Sequence, residues 1–179
     1  MMSVDGVCSA MHLVHERADV AADLPAVMLP VLLPCSWESP GALASLDTTC
    51  GGKSPGGDVG VSIRLLEALL EELDGQSELG VVDSDASADE WGVTVMRGAK
   101  SVAKTLDKAR RAAAKDNKEA ELGYQGWPAR VKAPMAMLPV RWCLTGSDSG
   151  APLGDLLNAV GRRSSLARIK AGLFALRQY

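Results

Sequence analysis

Aromatic residues are scarce in this chain of 179 residues: they make up 4% of it, while hydrophobic residues as a whole make up 47%. Large β-sandwiches draw on aromatic and β-branched side chains to fill their strands. A chain rich in alanine and leucine is poorly suited to that architecture. Its hydrophobic content is still sufficient for a core, so the composition favours one helical domain, with or without an irregular extension.

Cysteine and histidine are also few, and their spacing argues against the common metal sites. His12 and His15 lie three residues apart and have no obvious third ligand. No pair of cysteines has the Cys-x-x-Cys spacing of a zinc site or a redox motif. Scattered cysteines are typical of a reducing compartment. We therefore expect no bound metal, and free thiols at Cys8, Cys35, Cys50 and Cys143.

The sequence contains no apolar run of the roughly 20 residues that a membrane-spanning helix requires. The most apolar stretch, residues 26–35, is short and is interrupted by Pro30 and Pro34. Acidic residues precede this stretch, where a signal peptide needs positive charge. We therefore expect neither a membrane-spanning helix nor secretion. The cytoplasm and an organelle (a plastid or a mitochondrion) both remain open as the compartment.

Charge is distributed very unevenly along the chain. Residues 1–90 contain 3 Lys and Arg and 16 Asp and Glu, which gives 3 − 16 = −13. Residues 91–179 contain 16 Lys and Arg and 6 Asp and Glu, which gives 16 − 6 = +10. A basic half indicates contact with nucleic acid or an anionic membrane surface, or simply a solvated helical surface. Charge alone does not separate these interpretations.

Residues 1–58 are predicted to form an irregular extension, punctuated by prolines and ending in the flexible stretch GGKSPGG at 51–57. A short helix over residues 10–22 is expected before the prolines. The Gly-Lys-Ser sequence is not a phosphate-binding loop, because Asp47 stands where such a loop has its first glycine, and because Pro55 would disturb the helix that must follow. Residues 59–179 are predicted to form the helical domain.

The first helix of that domain is predicted over residues 59–74, with Asp58 as its cap and Gly75 after its end. Its apolar side chains recur at steps of three and four residues. Acidic residues occupy the other face, which is either a contact surface for a partner or simply exposed to solvent. The apolar positions are Ile63, Leu66, Leu70 and Leu73.

A long second helix is predicted over residues 88–115, where Ser87 and Glu90 have the spacing of a capping box. One face is apolar and another carries a row of cations, which we call the basic stripe: Lys100, Lys104, Lys108, Arg111 and Lys115. Such a stripe can follow the phosphates of a nucleic acid. A solvated helix face has the same pattern, so both interpretations stay open. Trp127, in the polar segment that follows, is expected to be a packing anchor.

Three short helices are predicted in the last third of the chain, over residues 139–145, 152–160 and 165–177. Pro139 and Pro152 are expected in first turns, where the missing N–H costs little, and glycines follow the ends of both helices. Ser164 or Ser165 is expected to cap the last helix. Helices this short are stable only when packed together, so the region is predicted to be a small all-α bundle.

Three consecutive sequence blocks in this region resemble the C-terminal anticodon-binding region of bacterial-type, class I glutamyl-tRNA synthetases. Residues 135–146 (MAMLPVRWCLTG) are similar to that family's L-F-M-P-L-R-x-A-L-T-G block. Residues 150–161 (GAPLGDLLNAVG) are similar to its G-P-x-L-x-E-L-L-x-x-L-G block, and residues 162–173 to its G-K-E-x-x-L-x-R-L-x-x-A-L block. The resemblance is best over residues 130–173. The chain departs from the family at residues 130–132 (RVK, where Lys-Gly-Lys is usual) and at Val140, Trp142, Cys143 and Ala151.

The resemblance implies an all-α helical cage that binds tRNA, specifically tRNA-Glu, as part of aminoacylation in translation. It places Arg141 against an anticodon base, and it implies RNA contacts for the turn and helices that follow. The implied RNA-binding residues are Arg141, Thr145, Gly150, Leu153, Arg162, Arg163 and Arg168. Two structural alternatives stay open: Arg141 pairs with Asp155 or Glu121 within the bundle, or Leu153 is a core residue.

The motifs that carry catalysis in that family, of the H-I-G-H and K-M-S-K-S types, are absent from this sequence. We therefore expect no catalytic residue and no activity in this chain alone, and no cofactor in it, although the full family enzyme uses ATP and Mg²⁺. The leading hypothesis is a monomeric tRNA-binding module, in a truncated or fragmentary form of the synthetase and without DNA or membrane partners. The alternative is a non-catalytic helical domain for protein interaction. Whether tRNA-Gln is also accepted stays open.

Overall fold

The computed structural model describes residues 36–53, 58–78 and 88–179. Over these residues the chain folds into six α-helices and forms no strand, which confirms the predicted all-α class. We number the helices in chain order: α1 Pro40–Thr49, α2 Val59–Glu78, α3 Ala88–Lys115, α4 Ala133–Thr145, α5 Leu153–Val160 and α6 Arg162–Leu176. In this part of the chain, no helix combines the length and the apolar character needed to cross a membrane.

The two helices with the clearest apolar periodicity lie where the sequence predicts them. α3 has the predicted bounds, and the middle of its apolar face, including Val95, Ala99 and Val102, is buried. α2 begins at the predicted residue, where the carboxylate of Asp58 accepts a hydrogen bond from the backbone N–H of Gly60 at 3.1 Å. It continues to Glu78, past the predicted end at Asp74 and through Gly75, because glycine lowers helix stability without forbidding the helical conformation.

The predicted start of α4 is wrong. The helix begins at Ala133, and Pro134 rather than Pro139 occupies its first turn. Pro139 lies buried inside the helix, so the ring removes one backbone donor, the one that would bond to the carbonyl of Met135. The end is as predicted: Gly146 adopts a left-handed conformation with φ of 69°, and its N–H bonds to the carbonyl of Trp142 at 2.7 Å.

The predicted start of α6 is also wrong. The helix begins at Arg162, directly after Gly161, which closes α5 and has φ of 77°. The Ser165 backbone N–H donates to the carbonyl of Gly161 at 2.9 Å, so this residue already lies within the first turn. Its side chain is fully buried and does not act as a cap. Gly161 is therefore the N-cap residue of α6, where Ser164 or Ser165 was expected.

The prediction of irregular structure over residues 1–58 is wrong for α1. Ser39 caps this helix, with its hydroxyl accepting the N–H of Ala42 at 3.3 Å. The buried side of α1 is formed by small or polar side chains, Ala42, Ser45 and Thr49, and gives no apolar stripe in the sequence. The helix packs against α4. The division of the chain at residue 58 stays a prediction.

The core lies around α3 and α4. α3 packs against α2, α4 and α5, while α4 also contacts α1, α2 and α6. α4 and α6 approach so closely at Gly172 that a Cβ atom there would lie 2.6 Å from Sγ of Cys143. Glycine is needed at this crossing because the fully buried Cys143 already fills the space.

Several features predicted from the sequence lie outside the described residues. They include the short helix over residues 10–22, the two histidines and two of the cysteines, the end of the glycine-rich stretch, and Ser87 of the capping box.

Candidate nucleic-acid interface

The candidate site is built on the turn that joins α4 to α5, which comprises residues 146–152 and which we call the α4–α5 turn. Thr145 anchors its first residues in two ways. The hydroxyl donates to the carbonyl of Arg141 one helical turn earlier, at 3.0 Å, and accepts the backbone N–H of Ser147 at 3.2 Å. This side chain therefore ties the end of α4 to the start of the turn.

Arg141 connects α4 to the far end of the same turn. Its Nη2 atom donates to the carbonyl oxygen of Ala151 at 2.8 Å, and the side chain is half-buried. Gly150 has φ of 126°, in the region that favours glycine, and a Cβ atom there would lie 3.6 Å from Nη1 of Arg141. The structure thus brings together three of the predicted site residues: Arg141, Thr145 and Gly150.

Leu153 and Arg168 lie near this turn, but their contacts are within the fold. Leu153 begins α5 and is 9% exposed, as part of the hydrophobic core. Arg168, on α6, donates from Nη1 to the carbonyl of Leu144 at 3.2 Å. That carbonyl is in the last turn of α4, where a cation is favourable because the end of a helix carries partial negative charge.

Arg162 and Arg163 lie at the other end of α5. Because α5 has eight residues, they are separated from the α4–α5 turn by about 12 Å of helix. The guanidinium of Arg162 is 5.8 Å from the ring centroid of Trp91 on α3, a cation–π distance, and Arg163 is exposed. The structure therefore does not gather all seven predicted residues into one pocket.

The basic stripe is exposed along α3, as its spacing predicts. All five of its side chains are exposed: Lys100, Lys104, Lys108, Arg111 and Lys115. They extend over about 22 Å of helix, given the usual rise per residue. Arg111 forms an ion pair with Asp107 at 2.7 Å. The stripe is thus a cationic surface available to a polyanion.

Contacts from α1 to the α4–α5 turn were not predicted from the sequence. The Ser45 hydroxyl donates to the carbonyl of Gly146 at 2.7 Å, and the Thr48 hydroxyl donates to the carboxylate of Asp148 at 3.0 Å. The indole N–H of Trp142, which is fully buried, donates to the carbonyl of Ala42 at 2.9 Å. α1 therefore holds both the last turn of α4 and the turn that follows.

The segment between α3 and α4 is held by an aromatic cluster. Arg64 of α2 donates to the carbonyl of Gly123 at 2.7 Å, and its guanidinium lies 4.9 Å from the ring centroid of Tyr124 and 5.3 Å from that of Trp127. The two rings are 5.0 Å apart, edge to face. Trp127 packs against the core, which confirms its predicted role as an anchor.

The end of α3 has a Schellman motif, which the sequence analysis missed. Asn117 has φ of 54°, and Lys118 donates its N–H to the carbonyl of Ala113 at 2.8 Å. Asparagine is the residue besides glycine that most readily adopts this conformation, so Asn117 was the available signal. In the described ranges, no three His, Cys, Asp or Glu side chains are grouped closely enough to hold a metal ion.

Neither the curated proteins nor the solved structures contain a match to this chain. A family model does match. It covers the second half of α3, the segment between α3 and α4, α4 itself, the α4–α5 turn, α5 and most of α6. The family is described as an anticodon binding domain. The all-helical fold agrees with this description. Residues 101–173 of this chain are thus similar to the anticodon binding domain family.

Proposed function

We propose that this chain is a tRNA-binding module that recognises the anticodon loop of tRNA-Glu, as the corresponding region of a glutamyl-tRNA synthetase does. The family match over residues 101–173 supports anticodon binding, and the three sequence blocks at 135–173 support the glutamyl-specific form of it. The proposal assigns recognition to this chain and assigns it no catalytic residue.

The observation that carries the proposal is the placement of Arg141. Its guanidinium spans the α4–α5 turn from α4 to the carbonyl of Ala151, with its Nη1 atom buried beside Gly150. RNA sequence is read mainly from unstacked loop bases, through stacking and hydrogen bonds to base edges. A planar guanidinium with five donors suits both kinds of contact.

The basic stripe supplies the sequence-independent part of binding in this proposal. Lys and Arg side chains that neutralise phosphates give affinity without specificity, and they position an RNA for base contacts made elsewhere. The stripe and the α4–α5 turn lie on helices that pack around the same core, because α3 contacts both α4 and α5. In this proposal one bound RNA engages both features.

The proposal is tested by binding of tRNA with a matched or an altered anticodon to wild-type and variant protein. Replacing Arg141 with Ala should cost about 1–3 kcal/mol for the matched tRNA and much less for the altered one, as for other bidentate base contacts. Arg141→Lys should lose most of the same discrimination, because lysine keeps the charge but not the planar fork.

Arg163→Ala is the matched control, since Arg163 is exposed and its loss should weaken all RNAs alike. Thermal unfolding of each variant separates loss of contact from loss of fold, because Arg141 also bonds to Ala151. An Arg141→Ala protein that loses affinity equally for both tRNAs would show that this residue is not the base reader.

A further inference from the structure

A cleft of about 610 Å³ lies between α3 and α5, apart from the seven residues predicted to bind RNA. The α3 wall contributes Val93, Met96, Arg97 and Lys100. The α5 wall contributes polar groups, among them Asp155 and Asn158, and Gly92 and Gly154 complete the lining.

The two glycines fix the shape of this cleft. A Cβ atom on Gly92 would collide with the carbonyl oxygen of Gly154, so the helices can approach this closely only with glycine at position 92. The backbone N–H of Gly92 donates to Oδ1 of Asn158 at 2.6 Å. That hydrogen bond sets the orientation of the Asn158 amide, and the cleft wall is thereby preformed.

The α3 wall combines apolar and cationic side chains. Val93 is 57% exposed although the opposite face of the same helix buries Val95 and Ala99. Met96 beside it is half-buried, while Arg97 and Lys100 are exposed cations. One wall thus presents apolar surface next to positive charge.

The opposite wall presents a carboxylate and an amide, which are hydrogen-bonding groups. A single unstacked nucleotide has matching chemistry: an anionic phosphate, an apolar base face, and a base edge with donors and acceptors. A protein segment would have to be acidic and apolar at once to satisfy the α3 wall. Charge complementarity therefore favours a nucleotide.

The position of the cleft connects the two features already assigned to RNA binding. Gly154 and Asp155 directly follow Leu153, the first residue of α5, and so adjoin the α4–α5 turn. Lys100 is both a cleft residue and the first cation of the basic stripe. The cleft therefore lies where an RNA that follows the stripe would reach the turn.

We infer that the α3–α5 cleft binds one unstacked nucleotide of the bound RNA, with Arg97 and Lys100 on its phosphate, Val93 and Met96 against its base, and Asp155 and Asn158 at its base edge. The inference rests on the proposed function for the identity of the RNA. It adds a second contact site, separate from Arg141.

Val93→Glu in the full chain tests the inference, because it places a negative charge in the cleft at an exposed position. The probe is an RNA hairpin that carries the anticodon loop of tRNA-Glu. Its affinity should fall about tenfold, comparable to the loss of one base-stacking contact. Phe174→Glu is the matched control: Phe174 is 66% exposed, lies on α6 outside the cleft, and takes the same change of charge.

A second measurement localises the nucleotide. Hairpins with 4-thiouridine placed singly around the loop should cross-link at one position to peptides containing residues 92–100 or 154–158, and Val93→Glu should abolish that product. Equal affinities for Val93→Glu and Phe174→Glu, or no cross-link to those peptides, would overturn the inference while leaving the Arg141 test unaffected. Failure of the wild-type chain to bind any tRNA would instead refute the proposed function, and the nucleotide assignment with it.

Discussion

Cys50 shows how burial changes the chemistry of a single residue. It lies directly after α1, is fully buried, and its carbonyl accepts a hydrogen bond from the Ser62 hydroxyl at 3.0 Å. Burial raises the pKa of its thiol from the ordinary value of 9.0 to about 12, because a thiolate is poorly solvated in the core. Between pH 9 and about pH 12, the Cys50 thiol therefore keeps its proton in the folded chain and loses it in the unfolded chain.

This shift has a definite sign for stability. Because the folded pKa is raised, the contribution of Cys50 is fully present below pH 9 and is lost as the pH rises from 9 towards 12. Cys50→Ala should lower the free energy of unfolding at neutral pH by removing buried volume. The difference in unfolding free energy between wild-type and variant should then narrow by about 3 kcal/mol at pH 11.

Urea unfolding of both proteins at several pH values between 7 and 11 measures this gap. The two proteins differ only at this residue, so the difference between the two curves isolates Cys50. Parallel curves over the whole range would contradict the assigned shift.

At the scale of helices, α1 is the element that the sequence did not predict and on which the candidate site depends. Ser45 and Gly146 are 101 positions apart in the sequence, yet they are joined by a buried hydrogen bond. Thr48 also bonds to Asp148, and Trp142 bonds to Ala42. Together these three contacts hold the α4–α5 turn and the end of α4 against α1.

Ser45→Ala should therefore loosen the turn as well as lower stability. The expected cost is about 1 kcal/mol in the free energy of unfolding, typical of one lost buried hydrogen bond. Amide hydrogen exchange in residues 146–150 should become faster. Ser164→Ala, at an exposed position on α6, is the control and should change neither quantity. Unchanged exchange at the turn in Ser45→Ala would show that α1 does not hold it.

Helices were predicted correctly where the local sequence pattern, such as apolar periodicity, was strong. α3 was predicted correctly because its apolar residues recur over many turns and no alternative element fits that pattern. α1 was missed because Ala42, Ser45 and Thr49 are small or polar and become its buried side only through contact with α4. The start of α4 was misplaced because two prolines competed for its first turn, and packing rather than propensity decides that a buried Pro139 is tolerated.

The candidate site was predictable to a similar, limited extent. Arg141, Thr145 and Gly150 were identified from a sequence block, and the structure brings them together at one turn. The core position of Leu153 and the bond from Arg168 to α4 depend on tertiary packing, which the block does not encode. The same is true of the cleft between α3 and α5.

At the scale of the whole molecule, the opposing charges of the two halves are partly brought together. Acidic residues of α2 pair with basic residues in α6 or directly after it: Asp74 with Lys170 of α6 at 3.7 Å, and Glu67 with Arg177, which follows α6, at 2.6 Å. Such exposed pairs contribute little to stability. They do neutralise part of the acidic charge of α2. The basic stripe on α3 remains exposed.

Binding of tRNA should accordingly weaken steeply as salt rises, because phosphate contacts release counterions. Lys104→Ala and Lys108→Ala should each lower the slope of log affinity against log salt by about 1 and should weaken matched and altered tRNAs alike. Titrations at several salt concentrations measure the slope. Lys53→Ala is the control, since Lys53 is exposed, lies far from the stripe in sequence and pairs with Asp47. A slope unchanged in the two stripe variants would show that the stripe does not contact phosphates.

The family match begins at residue 101, which lies within the continuous helix α3. In the chain, the α3 wall of the cleft lies before that residue and the α4–α5 turn lies after it. On the two proposals above, substitutions before residue 101 adjust how tightly any tRNA is held, while substitutions in the turn adjust which tRNA is preferred. Affinity and specificity then depend on different residues. A change of specificity from one tRNA to another therefore requires no change in the surface that provides affinity.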